Sequence, residues 1–175
     1  MDPQSAAQQR IVLAAAYWRI GLVDGADALG TAATEALTAG LDGDAVVALA
    51  SIYRDVDTFR LERLLDAIGT ELGMSEALAE DPRVVVARDL CGRVLAGEMN
   101  ERKLTSWVHG SFGHDQERPA LAGLAVLDDL FDDVEVGSRA ADRIARDVRK
   151  AALRVLREIP PSSPATAREF GDAGR

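Results

Sequence analysis

The chain predicts an all-α fold: a helical bundle of about eight helices, built from two similar four-helix units. Three observations predict it. Hydrophobic residues make up 47% of the chain but aromatics only 5%, so the apolar content is mostly Ala, Leu and Val. Straight-chain residues and Ala lose little side-chain entropy in a helix, which favours helix packing over sheet. Capping residues and glycines punctuate the chain at helical intervals. Finally, an apolar pattern recurs about 75 residues downstream, as a repeated helical unit requires. Asp44-Ala45-Val46-Val47-Ala48-Leu49-Ala50 is matched by Pro119-Ala120-Leu121-Ala122-Gly123-Leu124-Ala125, with Leu29 on Leu104, Ala33 on Val108, Leu37 on Phe112 and Ile52 on Leu127. The shared period of any Ala- and Leu-rich helix is the competing account of this echo.

Each element follows in order. Ser5 is placed to cap a first helix that runs to about Gly21 and buries Ile11, Ala14, Ala15, Trp18 and Leu22. A second spans about 26–39 through Leu29, Ala33, Ala36 and Leu37, with Gly40 where a left-handed C-cap is expected. Asp42-Gly43-Asp44 starts a third, which carries Val46, Leu49 and Ile52 to about Arg54. A fourth, after Asp55 or Asp57, holds Phe59, Leu61, Leu64, Leu65, Ile68 and Leu72. Ser75 caps a short turn, and Asp81-Pro82 opens the second copy as an N-cap followed by proline. Its helices cover about 82–97, 101–113, 117–131 and 138–158, with Asn100, Asp115 and Ser138 as caps and Gly97, Gly113 and Gly137 as stops. Residues 1–158 thus form one compact all-α body with pseudo-repeats at about 5–73 and 82–158. Residues 159–175, rich in proline and lacking apolar periodicity, form a flexible tail.

The net charge of −9 is uneven. Residues 1–81 hold 14 acidic and 5 basic side chains, residues 82–136 hold 10 and 6, and residues 137–175 hold 5 and 9. An acidic body repels phosphate backbones and suits a basic protein partner. A pI near 4.7 and only two lysines also count against nucleic acid. No apolar stretch is long enough to cross a bilayer, and the N-terminal residues lack the basic and apolar regions of a signal peptide, so a cytoplasmic protein with no membrane partner is expected. The single cysteine, Cys91, shares a predicted helix face with Ala87, Val94 and Leu95 and reads as core.

Chemistry is concentrated in the second half. His109 and His114 are the only histidines; they flank Gly110-Ser111-Phe112-Gly113 and stand near Trp107 and Asp115. Five residues on a continuous helix turn the two imidazoles about 140° apart. They can therefore share a ligand only if the helix ends between them, as Gly113 permits. Neither His-Glu-x-x-His nor a Glu-x-x-His pair occurs, so no metal ligands and no cofactor are assigned. Asp128, Asp129, Asp132 and Asp133 form an acidic cluster, and the arginines of the last helix are the expected answer to it. The candidate binding residues are Trp107, His109, His114, Asp115, Asp128, Asp129, Asp132 and Asp133; no catalytic residue is assigned, because no nucleophile elbow, phosphate loop or dinucleotide turn is present.

The run Trp107-Val108-His109-Gly110-Ser111-Phe112-Gly113-His114-Asp115, with Leu121, Leu124, Leu127-Asp128-Asp129 and the basic helix after it, resembles small uncharacterised all-helical proteins of actinobacteria. The resemblance covers roughly residues 85–157, extends to the Ala and Arg bias, and carries no assigned reaction. Some similar small acidic helical proteins sit beside toxins as immunity proteins. The resemblance and the charge together predict a bacterial, cytoplasmic protein–protein interaction module, non-enzymatic on balance. The alternative is a small-molecule-binding or enzymatic bundle with its site near Trp107, His109 and His114.

Overall fold

A computed structural model describes residues 2–52, 56–114 and 117–162. The described residues form nine α-helices and no strand: α1 (Pro3–Arg19), α2 (Gly25–Thr38), α3 (Asp44–Ala50), α4 (Thr58–Glu71), α5 (Ser75–Ala79), α6 (Pro82–Leu95), α7 (Glu101–Phe112), α8 (Pro119–Asp132) and α9 (Arg139–Glu158). The all-α class holds. Contacts divide the chain into two compact units, with boundaries after Pro82 and after Pro160.

In the unit formed by residues 1–82, each helix from α1 to α5 packs on its successor, and α5 returns to α1. The core joins Ile11 and Ala15 of α1, Leu29, Ala33 and Ala36 of α2, Val46 and Leu49 of α3, and Leu61, Leu65 and Ile68 of α4, with Met74 and Leu78 closing it. Burial of such side chains is worth roughly 1.5–3 kcal/mol each, so this stripe outweighs the weak propensity of any single helix.

Several boundaries differ from those the sequence predicts. Asp2, not Ser5, caps α1: its carboxylate accepts from the Ser5 N–H at 3.2 Å, and Pro3 takes the first helical position, where its missing N–H costs nothing. Leu22 lies in the turn beyond α1 and is half exposed. The third helix stops at Ala50; Arg54 and Asp55, to which the prediction extended, lie outside the described residues. Phe59 heads α4 but is 73% exposed, since it precedes the inward stripe that starts at Leu61. Met74 precedes α5 as its N-cap, and Ser75 is already helical. Gly40 has φ +84°, as a left-handed C-cap residue should.

Two glycines show how tightly this unit is drawn. A Cβ on Gly25 would stand 2.6 Å from the Trp18 ring, so glycine lets α2 begin against the indole. Gly43, the N-cap of α3, has no capping side chain; the Glu71 carboxylate of α4 takes its place, accepting from the Ala45 N–H at 3.1 Å. Across the same unit Arg19 grips Glu62 through two bonds of 3.0 and 2.6 Å and also donates to the Leu78 carbonyl, tying α1 to α4 and α5.

In the unit formed by residues 83–160, α7, α8 and α9 pack pairwise. Their core is Leu104 and Val108, Leu121, Leu124 and Ala125, and Ile144, Val148, Ala152 and Val155. Cys91 is fully buried on α6 among Ala87 and Val94, as the sequence predicts. Asn100 caps α7 and Ser138 caps α9, each accepting a backbone N–H, whereas Arg118 stands at the N-cap of α8 with Pro119 behind it. Asp115, the predicted cap for that helix, lies outside the described residues, as do residues 163–175 of the predicted tail.

The apolar register repeated about 75 residues apart survives as burial. Leu29 and Leu104, Ala33 and Val108, Val46 and Leu121, and Leu49 and Leu124 are all fully buried. Leu37 and Phe112, and Ile52 and Leu127, are alike in being half buried. The register ends there: Leu61 is core, while Val136, at the same spacing, is exposed.

Candidate functional site

The site is built by α7 and α8. The inward stripe of α8 runs Leu121, Leu124, Ala125, Asp128, which is the i, i+3, i+4, i+7 spacing of a core face, so a carboxylate occupies the last position of an apolar stripe. The Asp128 side chain is only 14% exposed. A carboxylate taken this far from water needs donors, and α7 supplies them from Thr105 and His109, one turn apart on the facing stripe. The Thr105 hydroxyl lies 2.9 Å from Asp128 Oδ1 and 3.0 Å from the Arg102 carbonyl. It has one proton to give, and the charged acceptor makes the stronger bond. His109 Nδ1 lies 3.1 Å from Asp128 Oδ2.

Asp129 is rotated by about 100° from Asp128 and reaches the surface, half exposed. Its Oδ1 is 3.6 Å from His109 Nδ1 and its Oδ2 is 3.3 Å from His114 Nε2. The two imidazole centroids are 4.5 Å apart at 67° between planes. This convergence depends on the end of α7. Gly113 is its C-cap at φ +68° and ψ −160°, donating its N–H to the His109 carbonyl at 2.8 Å, and a backbone at that angle is open essentially to glycine alone. The chain reverses there, and His114 comes back over His109 instead of lying on the far side of a continuing helix.

The chain matches no protein-family model, no curated protein and no solved structure. The site is therefore read from its own geometry. Two imidazoles and two carboxylates within contact distance can exchange protons with a bound molecule, or can hold a cation.

The other predicted site residues lie apart from this group. Trp107 is on a different face of α7 and stacks edge-on against Phe112, with centroids 6.2 Å apart, and Phe112 in turn receives the Arg83 guanidinium at 5.4 Å. Trp107 also borders a shallow surface hollow with Asn100, Lys103 and Ser106. Asp132 pairs with Arg102 of α7, whose guanidinium also lies 5.9 Å over the Phe131 ring. Asp133 is exposed. The acidic cluster is thus answered from α7, while the charged face of α9 pairs elsewhere: Arg149 with Glu101 at 2.7 Å, Lys150 with Asp147 at 2.9 Å and Arg154 with Glu158 at 3.0 Å. The Lys150 ammonium holds the Asp147 carboxyl below its ordinary range.

Two participants escape the sequence reading. Thr105 looks like one more helix-interior threonine, and only its spacing of four from His109 hints at a shared face. Arg102 is the other, 30 residues from Asp132, a separation at which no local spacing links the two.

Proposed function

We propose that this chain is a protein–protein interaction module whose acidic surface meets a basic partner, as the neutralising partner of a toxin would. One observation carries the reading. Residues 1–82 contain 14 acidic and 5 basic side chains, whereas residues 83–160 contain 13 of each, so the whole formal charge of −9 belongs to the first unit. A field of one sign confined to part of a chain steers an oppositely charged partner and raises its rate of association. Phe59 and Val47 add exposed apolar surface to the same unit.

The test is capture of stoichiometric partners by the tagged full-length protein from lysate of its own source, at low and at high salt. A basic protein should be retained at low salt and released as salt rises. Recovery of no stoichiometric partner at any ionic strength would defeat the proposal.

The convergence of His109 and His114 favours a second reading, a ligand-binding site on the α7–α8 face. Ring resonances of both histidines should then move together on titration with the ligand.

A further inference from the structure

We infer that His109, His114 and Asp129 form a binding site for a divalent first-row transition cation such as Zn²⁺, with Asp128 at its inner edge; this rests on the second reading above and names its ligand. The three residues each offer a ligand atom, and those atoms all lie within 4.8 Å of one another. The donor set is two imidazole nitrogens and a carboxylate, which suits borderline cations such as zinc.

A tetrahedral ion bound at about 2.0–2.1 Å holds its ligand atoms about 3.3 Å apart, the edge of the tetrahedron. Asp129 reaches both rings, its Oδ1 3.6 Å from His109 Nδ1 and its Oδ2 3.3 Å from His114 Nε2, so each nitrogen lies near that spacing from one carboxylate oxygen.

Asp128 is largely buried and is held by the Thr105 hydroxyl, and its Oδ2 faces His109 Nδ1, the same nitrogen that would bind the ion, so it stands as a carboxylate on the ion's inner side. His109 stands on the last turn of α7 and Asp129 on α8, so two packed helices set the distance between them. His114 follows the Gly113 reversal, which makes it the ligand that closes over the ion. His114 and Asp129 are half exposed, which leaves the outer side of the ion to water or to a bound molecule.

Isothermal titration of the tag-free full-length chain with Zn²⁺ tests the assignment. One equivalent should bind, and His114→Ala and Asp129→Asn should each weaken it by at least about tenfold. Asp128→Asn, which removes the negative charge on the inner side, should also weaken it, while Asp147→Asn on α9 should leave it unchanged. Should His109→Ala fail to fold by circular dichroism, His114→Ala and Asp129→Asn, both at half-exposed positions, decide the matter. Failure of Zn²⁺ to bind, or equal binding to the His114→Ala and Asp129→Asn variants, overturns the metal assignment. The broader ligand-site reading fails separately, if the His109 and His114 ring resonances also respond to no member of a library of small organic anions and cations.

Discussion

Asp128 shows most directly how a single side chain shapes the site. It occupies a core position, so its charge must be met by donors, and the Thr105 hydroxyl and the His109 imidazole meet it. Thr105→Val keeps the shape and removes the hydroxyl; it should lower stability by about 1–3 kcal/mol, the cost of leaving a buried acceptor short of a partner. Urea denaturation would measure this, and an unchanged midpoint would show that Asp128 draws its support from His109 alone. Cys91 makes a second residue-scale test. Burial pushes its thiol up to about 12, against about 8.5 in an unfolded chain. The folded state therefore keeps its proton where the unfolded state loses it. The stability tied to this difference is fully present below pH ~8.5 and is lost as pH climbs from there toward 12. Between pH 8 and 10 the loss should be about 2 kcal/mol, as follows from the linkage relation. Urea titrations should show that difference in the parent chain and lack it in Cys91→Ala. The buried character of Cys91 was legible from its neighbours at helical spacing. The partners of Asp128 were not, because sequence spacing shows which residues share a face but not which face of another helix they meet.

The elements were legible wherever their signals are local. Asn100 and Ser138 cap their helices as predicted because the capping bond spans only two or three residues. Misplacement came where two local signals compete or where the signal is distant. Asp2 outranks Ser5 because Pro3 behind it fixes the start of α1. The cap of α3 is supplied by Glu71, 26 residues away, and no local reading could locate it. Glu71→Ala should destabilise the protein by about 0.5–2 kcal/mol, the usual effect of losing a helix cap, with Asp44→Ala as the comparison on the same turn. Thermal melts of both variants would check it. Gly113 is the element on which the histidine pair depends. Any Cβ there has room, with nothing within 4 Å, so the barrier to substitution is the backbone angle. Gly113→Ala should cost roughly 1–3 kcal/mol and should separate the rings. Through-space NMR contacts between the His109 and His114 rings, 4.5 Å apart in the parent chain, should then be lost; their persistence would show that other contacts hold His114 in place.

At the scale of the whole molecule, charge is the property that most distinguishes the chain. None of its helices among the described residues is long and apolar enough to cross a membrane. The formal charge of −9 comes from residues 1–82, while the second unit is balanced. Like charges gathered in one compact unit repel, so raising the ionic strength should stabilise the protein. Relief of about 1 kcal/mol corresponds to a rise in melting temperature of roughly 2–4 °C for a chain of this size. Scanning calorimetry at low and physiological salt would register it, and a falling melting temperature would mean that the ion pairs of Arg19, Arg102 and Arg149 outweigh the repulsion. The amino-acid sequence alone determined the helical class, the positions of most helices, the burial of Leu29, Leu104, Leu49 and Leu124 in a common register, and the location of the charge. Each of these follows from composition or from periodicity along the chain. Tertiary structure alone decided that His114 turns back onto His109, that Asp128 points inward to Thr105, and that Arg102 rather than α9 answers Asp132. These depend on the backbone angle at Gly113 and on the facing surfaces of α7 and α8, which packing sets in three dimensions.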